Sequence, residues 1–188
     1  MEKYVNHPKC IAIGECGLDY FRLPEDEVEK AQNIKKQKEV FIAQIEFAKK
    51  VKKPLIVHIR EASNDSRQIL VDYNAKEVGG VLHCYNASEH LLILAEHNFY
   101  FGIGGVLTFK NAKKLVEVLP KIPKDKLLIE TDAPYLTPHP HRGERNEPYY
   151  TVFVAQKMAE LLQINEEEIQ KLTTNNAKKL FKEFSSLS

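Results

Sequence analysis

Residues 54–58 read Pro54-Leu55-Ile56-Val57-His58, a short apolar run that ends on a histidine. Three further runs also end on a residue that can bind a metal ion: Ile11-Ala12-Ile13-Gly14-Glu15, Gly80-Val81-Leu82-His83 and Leu127-Leu128-Ile129-Glu130-Thr131-Asp132. Unbroken runs of Val, Leu and Ile are typical of strands buried on both faces of a parallel sheet. The carboxyl ends of such strands meet at one end of the sheet, where active sites are built. The sequence therefore predicts that four potential metal ligands converge: Glu15, His58, His83 and Asp132.

The intervening segments predict a chain in which strands alternate with helices. The predicted strands cover residues 11–14, 55–58, 81–83, 99–104 and 127–130. The predicted helices cover residues 34–51, 66–73, 88–97 and 111–119, followed by three helical pieces in residues 149–184. Ser88 and Asn165 are the expected N-caps of two of these helices. This order indicates an α/β fold with parallel strands and outer helices.

The length of the chain limits how that sheet can close. The 188 residues fit a single domain covering residues 1–188, whereas an eight-stranded barrel typically needs about 250 residues. Five strands are too few to close a barrel of eight. The sequence therefore predicts either an open sheet or a partial barrel from which strands are missing.

Composition and charge narrow the class of protein. Hydrophobic residues make up 43% and charged residues 28% of the chain, as in ordinary globular domains. No apolar stretch is long enough for a transmembrane helix, and the opening residues lack the pattern of a secretory signal, so we expect a cytoplasmic protein without membrane contact. Three cysteines without paired spacing argue against a disulfide framework. Because the formal net charge is only +1, affinity for phosphate must come from local groups and bound metal.

The two histidines are the most informative of the potential ligands. A single histidine at the end of a strand is more often a core residue with a satisfied ring, but His58 and His83 occupy equivalent strand ends and are joined by acids on two other strands. Imidazole suits Zn, Mn, Co or Fe, and carboxylate adds harder ions. Glycines around Glu15 allow the backbone to turn and bring its carboxylate into the site. The pattern favours a metal centre.

Further residues near these strand ends are candidates for the site, and some of them can be interpreted in two ways. Asp132 is an acid that needs a partner, and it can accept a proton from a water molecule, while Glu130 is either a competing ligand or a partner behind one. Arg60 is equally well a phosphate clamp or half of a solvated charge pair with Glu61. In the proline-rich loop 138–148, Arg142 and Arg145 are suited to receive phosphate. The loop histidines, His139 and His141, are not counted as metal ligands.

These residues and their neighbours resemble the TatD family, which comprises metal-dependent deoxyribonucleases with a TIM-barrel fold within the wider amidohydrolase-like group. The similar segments run in order from near residue 9 to the last helix. They are Ile13-Gly14-Glu15-Cys16-Gly17-Leu18-Asp19-Tyr20, Val57-His58-Ile59-Arg60-Glu61, Leu82-His83-Cys84-Tyr85, Glu130-Thr131-Asp132-Ala133-Pro134-Tyr135-Leu136, His141-Arg142-Gly143 and Asn146-Glu147-Pro148.

The resemblance implies a divalent-metal phosphodiesterase that acts on DNA, usually from a 3′ end. It implies that the metal ligands are the four strand-end residues: Glu15, His58, His83 and Asp132. Asp132 and Glu15 would take part in catalysis, and the substrate would be bound by Arg60, His141 and Arg142. The cofactor would be Mg, Mn, Zn or Co, with up to two ions in full-length members and one in this chain.

The chain departs from the family pattern at its start. Members open with a strand bearing an Asp-x-His-x-His motif and have another strand before the segment that contains Glu15, and neither is present here. We therefore expect a member without its first two strands, roughly 70 residues judged from the barrel length. Such a chain would have an exposed sheet edge prone to self-association. Its metal affinity would be weaker, and it would have little or no nuclease activity.

Two other functions are compatible with the sequence. One is another amidohydrolase-like metal hydrolase that cleaves amides, lactones or phosphoesters, because fold alone does not determine substrate. The Glu15 segment and the arginines after Asp132 favour the nuclease over this alternative. The other is a catalytically dead, truncated chain that serves as a binding or dimerising module, as the absence of the opening strand suggests.

Overall fold

Five parallel strands form the sheet of the protein in the computed structural model, which describes residues 3–182. The strands are β1 (Ile13–Asp19), β2 (Leu55–Arg60), β3 (Gly80–Leu82), β4 (Phe99–Ile103) and β5 (Leu127–Ile129). Each strand pairs with the next one in the chain, so the order in the sheet is β1-β2-β3-β4-β5. The predicted α/β fold is confirmed, and all five carboxyl ends lie at the same end of the sheet.

The α-helices connect the strands or follow the last one. They are α1 (Glu27–Val51), α2 (Ser63–Asp72), α3 (Lys113–Val118), α4 (Thr151–Leu162) and α5 (Glu166–Leu180). Asn165 caps α5 as predicted, because its side chain accepts a hydrogen bond from the N–H of Glu168 at 2.7 Å. Residues 183 and 184 of the last predicted helical piece lie outside the described residues. No helix in residues 3–182 has the length and apolar character needed to cross a membrane.

The helix predicted over residues 88–97 is present as a 3₁₀-helix, and Ser88 occupies its N-cap position. The structure has a 3₁₀-helix at Glu89–Ala95, and the side chain of Ser88 makes no capping hydrogen bond. The Asn86 side chain accepts a hydrogen bond from the N–H of Ser88 at 3.0 Å, in the turn before the helix. A 3₁₀-helix rises about 2.0 Å per residue, which is more than an α-helix rises. The connection from β3 to β4 therefore needs few residues.

The two faces of the sheet carry different side chains. One face packs against helices, and fully buried residues there include Val57, Phe101 and Leu127, with Phe41 and Ile45 of α1 opposite. Successive side chains along each strand point alternately to this face and to the opposite face. The amino half of the opposite face forms a second apolar cluster that α5 covers, made of Val81, Tyr100, Leu128 and Leu180 with Ile56, Ala177 and Phe181. The carboxyl half of that face remains available for a site.

The predicted exposed edge corresponds to β1, which within residues 3–182 pairs with β2 alone. The structure confirms parallel strands with outer helices, but it does not confirm that two strands are missing before β1. That part of the expected partial barrel stays a prediction.

Candidate metal centre

One cavity lies at the carboxyl ends of the strands and has a volume of about 570 Å³. All four residues that the sequence singles out as metal ligands line it: Glu15, His58, His83 and Asp132. Arg60 lines it as well. The structure therefore brings together side chains that are up to 117 positions apart in the chain, from Glu15 to Asp132 (132 − 15). Their role as ligands stays a prediction.

The strand positions of the first two residues differ from the prediction. β1 continues to Asp19 and β2 to Arg60, so Glu15 and His58 lie within strands and not at their ends. The pairing register shifts between Ile13 and Cys16, which is a bulge at Glu15. Bulges redirect side chains next to active sites. Backbone pairing continues past the apolar run because ladder hydrogen bonds do not require apolar side chains.

Glycine is needed at position 17 for this arrangement. Gly17 has φ +143°, and a Cβ atom there would collide with the carbonyl oxygen of His58 on β2. The missing side chain lets the two strands approach each other beside the bulge. Of the glycines around Glu15 that are predicted to shape the backbone, Gly17 is thus one that the structure requires.

His58 lies between two carboxylates. Its Nδ1 is 3.0 Å from Oε1 of Glu15, and its Nε2 is 3.0 Å from Oδ2 of Asp19. Partial burial alone would raise the pKa of Asp19, but hydrogen bonds from the N–H of Phe21 and from His58 outweigh it and lower that pKa. Asp19 is not among the site residues predicted from the sequence. Its only signal was its place four residues after Glu15 on the same strand.

His83 also lies between two carboxylates. Its Nδ1 is 2.6 Å from Oε2 of Glu130, and its Nε2 is 3.3 Å from Oδ1 of Asp132. The hydrogen bond with Glu130 is the main cause that raises the pKa of His83 to about 9, against the opposing effect of burial. The charges of Glu130, Glu15 and Asp132 act in the same direction.

Glu130 is held in a slot beside β4. A Cβ atom at Gly104 would collide with Oε1 of Glu130, so the glycine leaves room for the carboxylate. That Oε1 atom is buried and has no hydrogen-bond partner among the described residues. A buried, unpaired carboxylate oxygen is costly. Of the two readings of Glu130, the geometry matches a partner behind His83, because Oε2 contacts Nδ1 and leaves Nε2 directed to Asp132.

The donor set fits a divalent cation. Within residues 3–182 no group of three His, Cys, Asp or Glu side chains forms a ready-made metal cluster, although each histidine contacts two acids. However, the two imidazoles and two carboxylates that line the cavity are ligand types of Zn, Mn and Co. The acids also outnumber the histidines: Glu15, Asp19, Glu130 and Asp132. A cation would offset this concentration of negative charge, including the unpaired Glu130 oxygen.

The predicted substrate-binding residues are divided between two places. Arg60 lines the cavity and its guanidinium lies 3.6 Å from the ring centroid of Phe21, a cation–π contact that holds it at the rim. His141 and Arg142 do not line this cavity. His141 stacks on Tyr150 with ring centroids 4.4 Å apart, and Arg142 lies 3.9 Å from the ring centroid of Phe109. Their role in substrate binding stays a prediction.

The fold and the site together define an α/β protein with a candidate divalent-metal centre at the carboxyl end of its sheet. The chain belongs to the family of TatD-related DNases, whose model matches residues 1–182.

Relatives of known sequence and structure are similar along most of the chain. The uncharacterized metal-dependent hydrolase YabD of Bacillus subtilis is 49% identical over 179 residues, which cover 94% of this chain and 67% of the relative. For YcfH of Escherichia coli K12, also named an uncharacterized metal-dependent hydrolase, the identity is 40%, covering 91% of this chain and 62% of that protein. The crystal structure of YjjV, a TatD homologue from Escherichia coli K12, superposes with a TM-score of 0.84 at 27% identity, covering 96% of this chain and 68% of that one. The chain thus spans between 62% and 68% of the length of these three proteins.

Proposed function

We propose that the protein is a metal-dependent hydrolase that cleaves phosphodiester bonds of DNA from a 3′ end, with the low activity expected from its departure from the family pattern. The observation that carries the proposal is the convergence of Glu15, His58, His83 and Asp132 on one cavity, with Arg60 at its rim. Membership of the TatD-related DNase family and relatives named metal-dependent hydrolases support it.

The residues that would hold a divalent ion are Glu15, His58, His83 and Asp132. Mg, Mn, Zn and Co are the candidate ions, because the set combines carboxylates with imidazoles. A bound ion would make water a stronger nucleophile at neutral pH and offset charge on the phosphate.

The chain's own residues have distinct tasks in this proposal. Asp132 takes the proton of the attacking water, since it is an acid at the cavity wall whose side chain is 35% exposed. Asp19 and Glu130 fix the ring orientations of His58 and His83 through their hydrogen bonds. Arg60 offers a planar, permanently charged group to a phosphate oxygen.

The larger assembly is also part of the proposal. The relatives are longer than this chain, which supports a TIM barrel in which β1 to β5 are consecutive strands and further ligands, for up to two ions, come from other strands. The edge of β1 would then be a site of pairing, either with such strands or with a second copy of the chain. We place the protein in the cytoplasm, with DNA as its substrate.

The test is the release of nucleotides from single-stranded DNA labelled near its 3′ end, in Mn²⁺ or Mg²⁺. Glu15→Ala and Asp132→Ala are expected to abolish the metal-dependent release. Glu39→Ala, which removes an exposed acid on α1, is the matched control and should leave it unchanged. Release that persists in both site variants would refute the proposal, as would hydrolysis of amides or lactones but not of DNA.

A further inference from the structure

The wall of the 570 Å³ cavity has a second part that the metal centre does not use. Beside the charged residues from β1, β2, β3 and the segment after β5, the wall contains apolar side chains that come from the segments following β3 and β4. The main ones are Tyr85, Val106, Ala112 and Leu115. The volume is in the range of about 300–1,000 Å³ that is usual for small-molecule sites, which combine apolar walls with a few polar groups. The candidate metal ligands occupy only part of this space.

The apolar wall is packed against the core. The ring of Tyr85 packs edge-on against Phe101 with centroids 4.9 Å apart, and its hydroxyl donates a hydrogen bond to the carbonyl of Ser88 at 2.8 Å. Leu115 on α3 is 5% exposed. These contacts place the apolar surface of the wall next to the charged group.

Tyr135 provides an aromatic face at the same cavity. It lines the cavity although its side chain is 70% exposed. Its N–H donates to the carbonyl of Asp132 at 2.7 Å, so a turn fixes Tyr135 immediately beside the proposed proton acceptor. A large aromatic residue that is so exposed contributes little to the core, and its open face can stack on a planar ligand.

Polar side chains complete this part of the wall. Asn111 and Lys114 are exposed, line the cavity and lie next to Ala112 and Leu115 in sequence. An amide and an ammonium group are suited to the polar edge of a planar ring, while Arg60 at the rim of the same cavity is suited to phosphate. The wall thus combines an aromatic face, an apolar backing and polar groups for a ring edge.

We propose that Tyr135 and the apolar wall form a subsite that stacks the unpaired terminal base next to the scissile phosphate. The inference rests on the proposed function, and it adds the residues that recognise the substrate. The base must be unpaired, because a complementary base would occupy the hydrogen-bonding edge that Asn111 and Lys114 contact in this proposal. A nucleobase has both the flat apolar faces and the polar edge that this wall accommodates.

The test is equilibrium binding of a fluorescein-labelled single-stranded oligonucleotide, followed by anisotropy in Ca²⁺, with a phosphorothioate at the last linkage to keep the strand intact. The oligonucleotide with a complete 3′-terminal nucleotide is compared with one whose 3′ terminus is abasic, and an oligonucleotide abasic at its 5′ end is the control ligand. The wild-type protein should bind the complete 3′ terminus about tenfold more tightly than the abasic one, as expected for one stacked base. The 5′ abasic site should have no such effect.

Three variants assign this preference to Tyr135, and a fourth tests the apolar wall. Tyr135→Ala should abolish the preference, and Tyr135→Phe should retain it because the ring remains. Tyr149→Ala is the matched control, since Tyr149 is 75% exposed but does not line the cavity. Ala112→Phe, which fills the space beside the apolar wall, should also abolish the preference for the complete 3′ terminus.

Failure of this inference can be separated from failure of the proposed function. A tenfold preference without any metal-dependent cleavage would uphold the subsite and refute the nuclease. Cleavage of DNA with equal binding of the complete and abasic 3′ termini would refute the subsite and uphold the nuclease. Absence of binding to either oligonucleotide, or a preference that survives in Tyr135→Ala, would also refute the subsite.

Discussion

One face of the sheet has two halves with opposite chemistry on the same strands. In the amino half, Val81, Tyr100 and Leu128 are 8%, 5% and 6% exposed and are covered by α5. Two residues farther along the chain from Val81 and Leu128, the same face carries His83 and Glu130. Burial of the apolar half fixes the strand backbones. These backbones can therefore hold charged side chains in the other half, although burying such side chains costs free energy.

This comparison shows how a charged site is supported. Each histidine is held between acids that lie on β1 or in the segment directly after β5, next to strand residues that belong to the apolar cores. If the account is correct, the two halves can be damaged separately: changes in the apolar half should affect stability, and changes in the charged half should affect metal binding.

The largest effect on stability is expected in the apolar half. Leu128→Ala should lower the free energy of unfolding by about 2–5 kcal/mol, because it removes a buried side chain under α5. Chemical denaturation monitored by circular dichroism measures this change. Ile93→Ala, at a position that is 42% exposed, is the control and should change stability far less. A Leu128→Ala variant as stable as the control would show that α5 does not secure this half.

In the charged half, Glu130→Gln should weaken binding of Mn²⁺ by roughly 10- to 100-fold with little change in stability. Gln has nearly the shape of Glu but lacks the charge that orients His83 through the 2.6 Å contact. Isothermal titration calorimetry measures the affinity, and Glu117→Gln on the exposed side of α3 is the control. Unchanged affinity in Glu130→Gln would remove Glu130 from the site.

The smallest effect is expected at an ion pair outside both halves. Asp65 contacts Lys38 at 2.7 Å and accepts a hydrogen bond from Tyr20 at 2.8 Å. The hydrogen bond with Lys38 is the main cause that lowers the pKa of Asp65. A lowered folded-state pKa means that the stabilisation is present above the unfolded value of about 3.9 and is lost as pH falls through the folded value.

Asp65→Asn should therefore lower stability at pH 7 by on the order of a few tenths of a kcal/mol, given that the pair is partly exposed. The difference from the wild type should vanish in acid. Urea denaturation at pH 7 and at pH 3 measures both values, and a difference that grows toward low pH would contradict the assigned direction.

The convergence of the site could be predicted from the sequence, whereas its internal contacts could not. Apolar runs that end on Glu15, His58, His83 and Asp132 have a recognisable form, and parallel strands bring such ends together. The bulge at Glu15 leaves no comparable signal, because it depends on the register between β1 and β2. The pairing of His58 with Asp19 was missed for the same reason.

Loop side chains were the least predictable part of the site. Arg142 follows β5 and is predicted to bind substrate, and its guanidinium lies 3.9 Å from the ring centroid of Phe109 in a distant segment. Tyr135 is part of the segment that resembles the TatD family, but its exposed face beside the cavity becomes evident only from the fold. In both cases loop geometry determines what the side chain faces, and loops leave no periodic pattern in the sequence.

The most direct test of the central claim is calorimetric titration of the metal-free protein with Mn²⁺. The claim is that Glu15, His58, His83 and Asp132 bind one divalent ion in the cavity that they line. The account predicts one ion per chain and an affinity at least 100-fold weaker in His83→Ala, with no change in His90→Ala, which removes an exposed histidine elsewhere. Equal affinity in the wild type and His83→Ala would contradict it.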